Sequence, residues 1–392
     1  MQANLSSYTR LKPEETPIVI LAEGCFEEWP AKTAIGVIRY GQWPVVAVSD
    51  STRSGKTVGE TMNISSNVPI VASLDEALQF QPKALLIGVA PIGGQLPPEW
   101  LQVLTRAIDE GLHLINGLHC FLNEEPILVQ HAREKNTQLW DVRDPNHYLT
   151  PQWNKINALT PRPEGTKVIT TVGSDCAVGK MLTSLELNAC ARQRRKNSHF
   201  VATGQTGILI AGRGVPLDRV IGDFMAGYVE SCVIEAFNDG GAEWVIVEGQ
   251  GSLLHPAFSG VTLSLLHGSN PDAMILCHRA NQEEIYGPYS VRIPSLTRLV
   301  DMYETAASWI HPSATQSAKV VGISLNTSRL SEAEAREAVD QAEQETGLPA
   351  TDPLRFGMEK LVDGLEAFFE PERRAVNLTL LGKPRSVQSV GC

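Results

Sequence analysis

Residues 173–180 read Gly-Ser-Asp-Cys-Ala-Val-Gly-Lys, and residues 244–256 read Trp-Val-Ile-Val-Glu-Gly-Gln-Gly-Ser-Leu-Leu-His-Pro. The first stretch has the chemistry of a phosphate cradle. Glycines at 173 and 179 let the backbone turn towards an anion. A helix that follows aims its first amides at the same point, and Lys180 adds a charge. The usual P-loop leaves four residues between the first glycine and the Gly-Lys pair. Here five intervene: Ser174, Asp175, Cys176, Ala177 and Val178.

The next residue separates two kinds of chemistry. A P-loop NTPase places Ser or Thr there to hold the magnesium that bridges the terminal phosphates. This chain has Met181, whose thioether is a soft ligand, ill suited to a hard cation. Thr183 lies two residues on and points elsewhere on the helix. The loop is therefore predicted to bind phosphates, through residues 173–180 with Met181 and Leu182, without organising Mg-ATP. That suits coenzyme A, which carries a pyrophosphate and a 3′-phosphate and transfers acyl groups without a metal. No metal site is expected. If Glu248, Asp175 and phosphate oxygens held Mg²⁺ by themselves, ATP would remain possible.

Acyl transfer to an amine needs a base, donors for the oxyanion and a cation for any substrate carboxylate. Glu248 and His255 lead as bases. Glu248 ends an apolar strand, where ligand sites of α/β sheets form. His255 follows in the loop and has a structural hydrogen bond as its alternative. Asp223 falls on a predicted helix, 218–237, and either faces the amine or stands in solvent. Arg213, Arg292 and Arg298 are candidate carboxylate holders. Cys176 reads as a nucleophile at a helix N-terminus or as a small packed thiol.

These residues need elements to position them, and the pattern supplies strand–helix alternation throughout. Strands are predicted at 17–24, 44–50, 84–91 and 112–118, with helices at 32–41 and 97–111. A proline-bearing link, 148–167, follows. Strands then recur at 167–172, 199–203, 244–248, 273–277 and 319–325, with helices at 179–194, 218–237, 296–309 and 331–346. The reading is α/β: a Rossmann-like parallel sheet over 1–150, a P-loop parallel sheet over 151–375, and a loosely held tail, 376–392. In the first half, 52–60 ends like a Walker motif without its leading glycine, and 88–98 is a Gly-rich turn between strand and helix. His119 and Cys120 follow a strand end and are expected near the cleft between the domains.

The chain has 392 residues and a formal net charge of −11, which argues against nucleic acid or anionic membrane as the main partner. Seven cysteines without metal-type spacing point to reduced thiols. No signal-like or membrane-length apolar run is present, so a cytoplasmic protein is expected.

The segments "GSDCAVGK" and "WVIVEGQGSLLHP" resemble the phosphate loop and the Val-Glu-Gly segment of dethiobiotin synthetases. "TGQTG" (203–207) sits where that family has its second-strand loop. With "GLHLINGLHCFL" and "TDPLRFG", the whole chain resembles a two-domain family, Rossmann-like then dethiobiotin-synthetase-like, long catalogued as of unknown function. Its members include D-glutamate N-acetyltransferases that use acetyl-CoA. The resemblance implies that activity and a substrate site around Thr203, Gly204, Gln205, Thr206, Gly249 and Gly251. It also implies a homodimer or higher homo-oligomer. The other functions that these segments allow are an ATP- and Mg-dependent ligase or carboxylase, and a non-catalytic nucleotide or CoA sensor.

Overall fold

The computed structural model describes residues 11–27, 30–62, 64–89, 96–145, 158–310 and 318–369. Twelve strands form two six-stranded parallel sheets among these residues. The first holds β1 (Ile18–Leu21), β2 (Val45–Ser49), β3 (Ile70–Val71), β4 (Ala84–Ile87), β5 (His113–Asn116) and β6 (Leu139–Asp141). Their order is β3-β2-β1-β4-β5-β6, the doubly wound order of dinucleotide-binding sheets. The second holds β7 (Lys167–Gly173), β8 (Ser198–Val201), β9 (Trp244–Val247), β10 (Ala273–Arg279), β11 (Lys319–Asn326) and β12 (Ala350–Thr351). Their order is β12-β11-β10-β7-β9-β8.

The central strands are apolar runs because helices cover both faces of each sheet. All four residues of β1, β4 and β9 are buried. Each sheet reverses its winding at one point: between β1 and β4 in the first, and beside β7 in the second. Ligand sites form outside the strand ends at such switch points. The helix Lys32–Tyr40 starts at the first and the helix Lys180–Gln193 at the second.

The two switch points face each other. Thr33 Oγ1 and Thr206 Oγ1 share a buried hydrogen bond of 2.9 Å. Tyr40 OH donates to Glu186 Oε1 at 2.6 Å, and Trp43 Nε1 donates to the Leu209 carbonyl at 2.9 Å. The apolar core of the first sheet continues into Leu185, Phe200, Ala202 and Ile208–Ile210 of the second domain. The domains therefore share one core.

Both sheets and their parallel sense agree with the sequence reading. The structure adds short elements that it lacked: β3, β6, β12 and helices at Val58–Met62, Leu74–Leu78, Pro126–Lys135, Gln205–Ala211, Ser259–Ser269 and Glu359–Phe369. The helix predicted from 218 begins at Met225. Before it the chain makes two single 3₁₀ turns, Leu217–Arg219 and Gly222–Phe224, separated by Val220, which is extended, and Ile221. Most of the turn at 88–98 and the first half of the link at 148–167 lie outside the described residues, as does the tail. In the stretch 52–60 the amides of Thr52, Arg53, Gly55, Thr57, Val58, Gly59 and Glu60 are already hydrogen-bonded within the protein. No helix among the described residues is long and apolar enough to cross a membrane.

Candidate active site

β7 delivers the chain into the loop, and the helix Lys180–Gln193 carries it away. Ala177 (φ 54°) and Gly179 (φ 112°) take left-handed conformations, a geometry that glycine tolerates and that brings successive amides to one side. No side chain caps this helix, so its first amides remain available to an anion. Lys180 is 6% exposed, and its Nζ donates to the Asp175 carbonyl at 2.6 Å. Burial pushes its pKa down, so an anion beside it would relieve an unfavourable desolvated charge.

The loop is braced from three sides. Tyr303 OH donates to the Gly173 carbonyl at 2.7 Å and accepts from Leu253 N at 3.2 Å, tying the loop to the segment after β9. Ser252 Oγ donates to the Ser174 carbonyl at 2.9 Å, and Ser174 Oγ bonds His278 Nδ1 at 2.8 Å. Asp175 is fully buried. Its Oδ1 accepts from Cys176 N at 2.7 Å, and its Oδ2 from Gln282 Nε2 at 2.7 Å and Tyr286 N at 2.6 Å. Asp175 thus orders the loop instead of reaching into it. Sequence reading missed Tyr303, Gln282 and His278, which come from distant parts of the chain.

Met181 turns away from the loop. It packs in the shared core, and its Cε lies 3.5 Å from where a Cβ on Gly36 would stand. Thr183 is buried and spends its hydroxyl on Ser324 Oγ at 2.7 Å. Leu182 is part-exposed on the first turn. Met181→Thr should therefore weaken domain docking and lower unfolding stability by about 1–2 kcal/mol, the scale of a partly buried large-to-small change. Chemical denaturation would register this as a lower midpoint, and an unchanged midpoint would refute the packing role.

Glu248 follows β9 directly and is 4% exposed. Its Oε2 accepts from Thr203 N at 2.9 Å, and Thr203 Oγ1 donates back to the Glu248 carbonyl at 2.7 Å. Burial raises its pKa to about 7, against the pull of the Thr203 and Gly204 amides and of Lys32 and Lys180. A carboxyl that titrates near neutrality suits proton transfer. Gly207 makes room for it, since a Cβ there would fall 2.4 Å from Glu248 Oε2. Gly249 N donates to Thr171 Oγ1 at 2.9 Å, and Gly251 turns the chain at φ 64°. Thr206 and Gln205 face the first domain, Thr206 through Thr33 and Gln205 against Gly117.

His255 is 4% exposed. It accepts weakly from Ala257 N at 3.3 Å and packs on Phe258, ring centres 4.4 Å apart. A ring nitrogen of His255, the Cys176 sulfur and an Asp175 oxygen lie within 4.8 Å of one another, so the structure joins His255 to the loop. Burial raises the Cys176 thiol, with Lys180 opposing. Four expected residues stand apart. Asp223 is exposed on its 3₁₀ turn. Arg213 bonds His199 Nδ1 at 2.6 Å, near the amino end of β8 and so away from the strand ends that carry the loop. Arg292 lines a cavity of about 400 Å³ with His278 and Gln282, on the far side of Ser174, and Arg298 is exposed.

The first domain supplies cations in their place. Arg143 Nε donates to the Gly117 carbonyl at 2.7 Å, and its guanidinium pairs with Asp218. His119 Nε2 lies 3.9 Å from the same carboxylate, which bears out the expectation that His119 faces the cleft. Arg219 stacks over Phe121 at 4.5 Å. Lys32 opens the helix Lys32–Tyr40, within electrostatic reach of Glu248, Cys176, Asp218 and Arg143. Its side chain is exposed, although enough protein lies around it to push its pKa down. Cleft residues of this kind carry no local sequence signature, because their neighbours lie in the other domain.

Known proteins match this architecture domain by domain. Residues 51–145 match the Rossmann-like DUF1611_N domain, and residues 157–362 the DUF1611_C P-loop domain, both described as domains of unknown function. A protein of Tritonibacter scottomollicae named D-glutamate N-acetyltransferase is 40% identical over 90% of this chain and 99% of its own. One of the same name from a Pseudoalteromonas species is 37% identical over 82% of this chain and 90% of its own. The crystal structure of a DUF1611 family protein from Anabaena variabilis is 38% identical, with a TM-score of 0.80 over 90% of this chain and 99% of that one. With both domains matched in order, the chain belongs to the DUF1611 family.

Proposed function

We propose that the protein transfers an acetyl group from acetyl-CoA to the amino group of D-glutamate. The relatives' shared name supports the reaction. Among the geometric observations, the one that carries it is Glu248: a buried carboxyl with a pKa of about 7, on a cleft shared by two switch points. In this reading Glu248 takes a proton from the substrate ammonium. The freed nitrogen bonds to the acetyl carbon, the carbon–sulfur bond breaks, and the proton that the nitrogen then sheds neutralises the departing thiolate. Lys180 and the amides of 177–181 hold the phosphates of coenzyme A. The uncapped helix and the buried, charge-starved Lys180 fit that role.

The donor set favours acyl over phosphoryl transfer. Met181 faces the shared core, Thr183 is bonded to Ser324, and Asp175 has both oxygens committed to the loop and its neighbours. None offers a free hard oxygen beside Lys180. The purified protein should therefore release free thiol from acetyl-CoA when D-glutamate is added, in the presence of EDTA, and yield the N-acetylated product by mass spectrometry. An EDTA-abolished reaction that converts ATP to ADP would replace this reading with a ligase.

A further inference from the structure

Resting on that reading, we infer that Lys32 is the anchor for a substrate carboxylate and sets the preference for an acidic amino acid over its neutral amide. The other cations of the cleft are already engaged. Arg143 pairs with Asp218 and with the Gly117 carbonyl, His119 leans on the same aspartate, and Arg219 lies flat on Phe121. Lys180 is spent on the phosphate loop. Lys32 alone among these has no hydrogen-bond acceptor or ion-pair partner among the described residues. Its chain neighbour Thr33 bonds Thr206, in the turn 203–207 whose Thr203 amide holds Glu248, and its electrostatic neighbours include Glu248, Cys176 and the Arg143–Asp218 pair.

The position is a poor one for a cation that does nothing. Lys32 is the first residue of its helix, at the end where the macrodipole is positive and acidic residues are the stabilising choice. Arg143 repels it, and protein crowds it, so that burial and Arg143 push its pKa down. A dicarboxylic substrate offers a remedy. One carboxylate on Lys32 would neutralise the unpaired charge while the amine reaches Glu248 across the cleft. An ammonium is a point charge that imposes little geometry, so the contact selects for charge rather than shape. The neutral amide of the same skeleton would leave Lys32 without a counter-charge and so forgo the charge-assisted contact that the acid makes.

Lys32→Gln keeps most of the side chain and removes the charge. With D-glutamate its KM should rise at least about tenfold, the low end for a charged hydrogen bond. With D-glutamine KM should hardly move, so the preference for the acid collapses. The KM for acetyl-CoA should stay constant. Because the Lys32 charge lowers the pKa of Glu248, the pH at which the rate levels off should rise, while kcat on that plateau changes little, a pattern that a merely structural role would not reproduce. Without ligand, Lys32→Gln should melt at or above the wild-type temperature, because an unfavourable charge has gone. An unchanged D-glutamate KM and an unchanged acid-to-amide ratio would overturn the assignment. A wild-type protein inert towards D-glutamate would instead sink the proposed reaction. Lys32 would then be judged by binding alone, through the thermal stabilisation that D-glutamate gives the wild type and Lys32→Gln. Equal stabilisation of the two proteins would overturn it there as well.

Discussion

Glu248→Gln is expected to lower kcat by about 10²–10⁴-fold, the range that a positioned general base contributes. Glutamine matches the size of the carboxylate and can still accept from Thr203 N, so the Thr203–Gly207 turn should stand. What disappears is the proton acceptor. In the wild type, Glu248 must be ionised to act, and burial holds its pKa at about 7. The rate should therefore climb with pH and level off above about 7. Stability should move the other way. The folded-state pKa lies above the ordinary 4.5, so the folded protein binds this proton more tightly than the unfolded chain does. That contribution is full below about 4.5, is lost as pH rises through about 7, and amounts to about 3 kcal/mol. Glu248→Gln should flatten this fall, so that it unfolds no more easily than wild type at pH 8. Both profiles can be taken on the same two proteins. A Glu248→Gln variant that keeps more than about a tenth of kcat would remove Glu248 from the base's role.

Glu248 was legible because its signal is local. An apolar strand ends in a carboxylate at the place where parallel sheets build their sites, and β9 is buried at all four positions. The phosphate loop was legible for the same reason, through its glycines, its lysine and a helix behind them. The residues that sequence reading lost are those whose meaning depends on the other domain. Lys32 looks like the ordinary start of an amphipathic helix until Glu248 stands opposite it. Arg143 lies at the far end of the first domain and becomes interpretable through Asp218. Arg213 failed in the opposite direction. Its charge made it a candidate carboxylate holder, but the short helix Gln205–Ala211 carries the chain away to His199. That helix was unreadable because "QTGILIA" is apolar almost all round, as a helix buried between two domains must be. Met181 drew notice in the sequence for standing where a P-loop has Ser or Thr, yet its packing against Gly36 could not be foreseen from the loop alone.

Lys180→Ala should weaken coenzyme A binding by about 1.5–3 kcal/mol, the worth of a hydrogen bond to a charged group. That is about ten- to 150-fold in Kd. The lysine's surroundings explain why the effect should not be larger. The loop keeps its amides and the uncapped end of a 14-residue helix, and these hold an anion without help from a side chain. They also explain why it should not vanish. Lys180 is buried against Gly173, and burial lowers its pKa, so its charge is screened by little water and acts over a short distance at low effective dielectric. In the structure Nζ rests on the Asp175 carbonyl, a neutral acceptor that a phosphate oxygen outbids. Removing the side chain leaves that carbonyl short of a donor, so some loss of stability should accompany the loss of affinity. A phosphate-free ligand separates the two effects. Acetyl-pantetheine carries the acetyl thioester without the nucleotide phosphates, and Lys180→Ala should process it as well as the wild type does. Calorimetry with coenzyme A and kinetics with both acetyl donors give the comparison. Equal losses for both donors would mean that the variant damages the fold. Unchanged affinity for coenzyme A would mean that its phosphates bind somewhere other than the loop from Gly173 to Lys180.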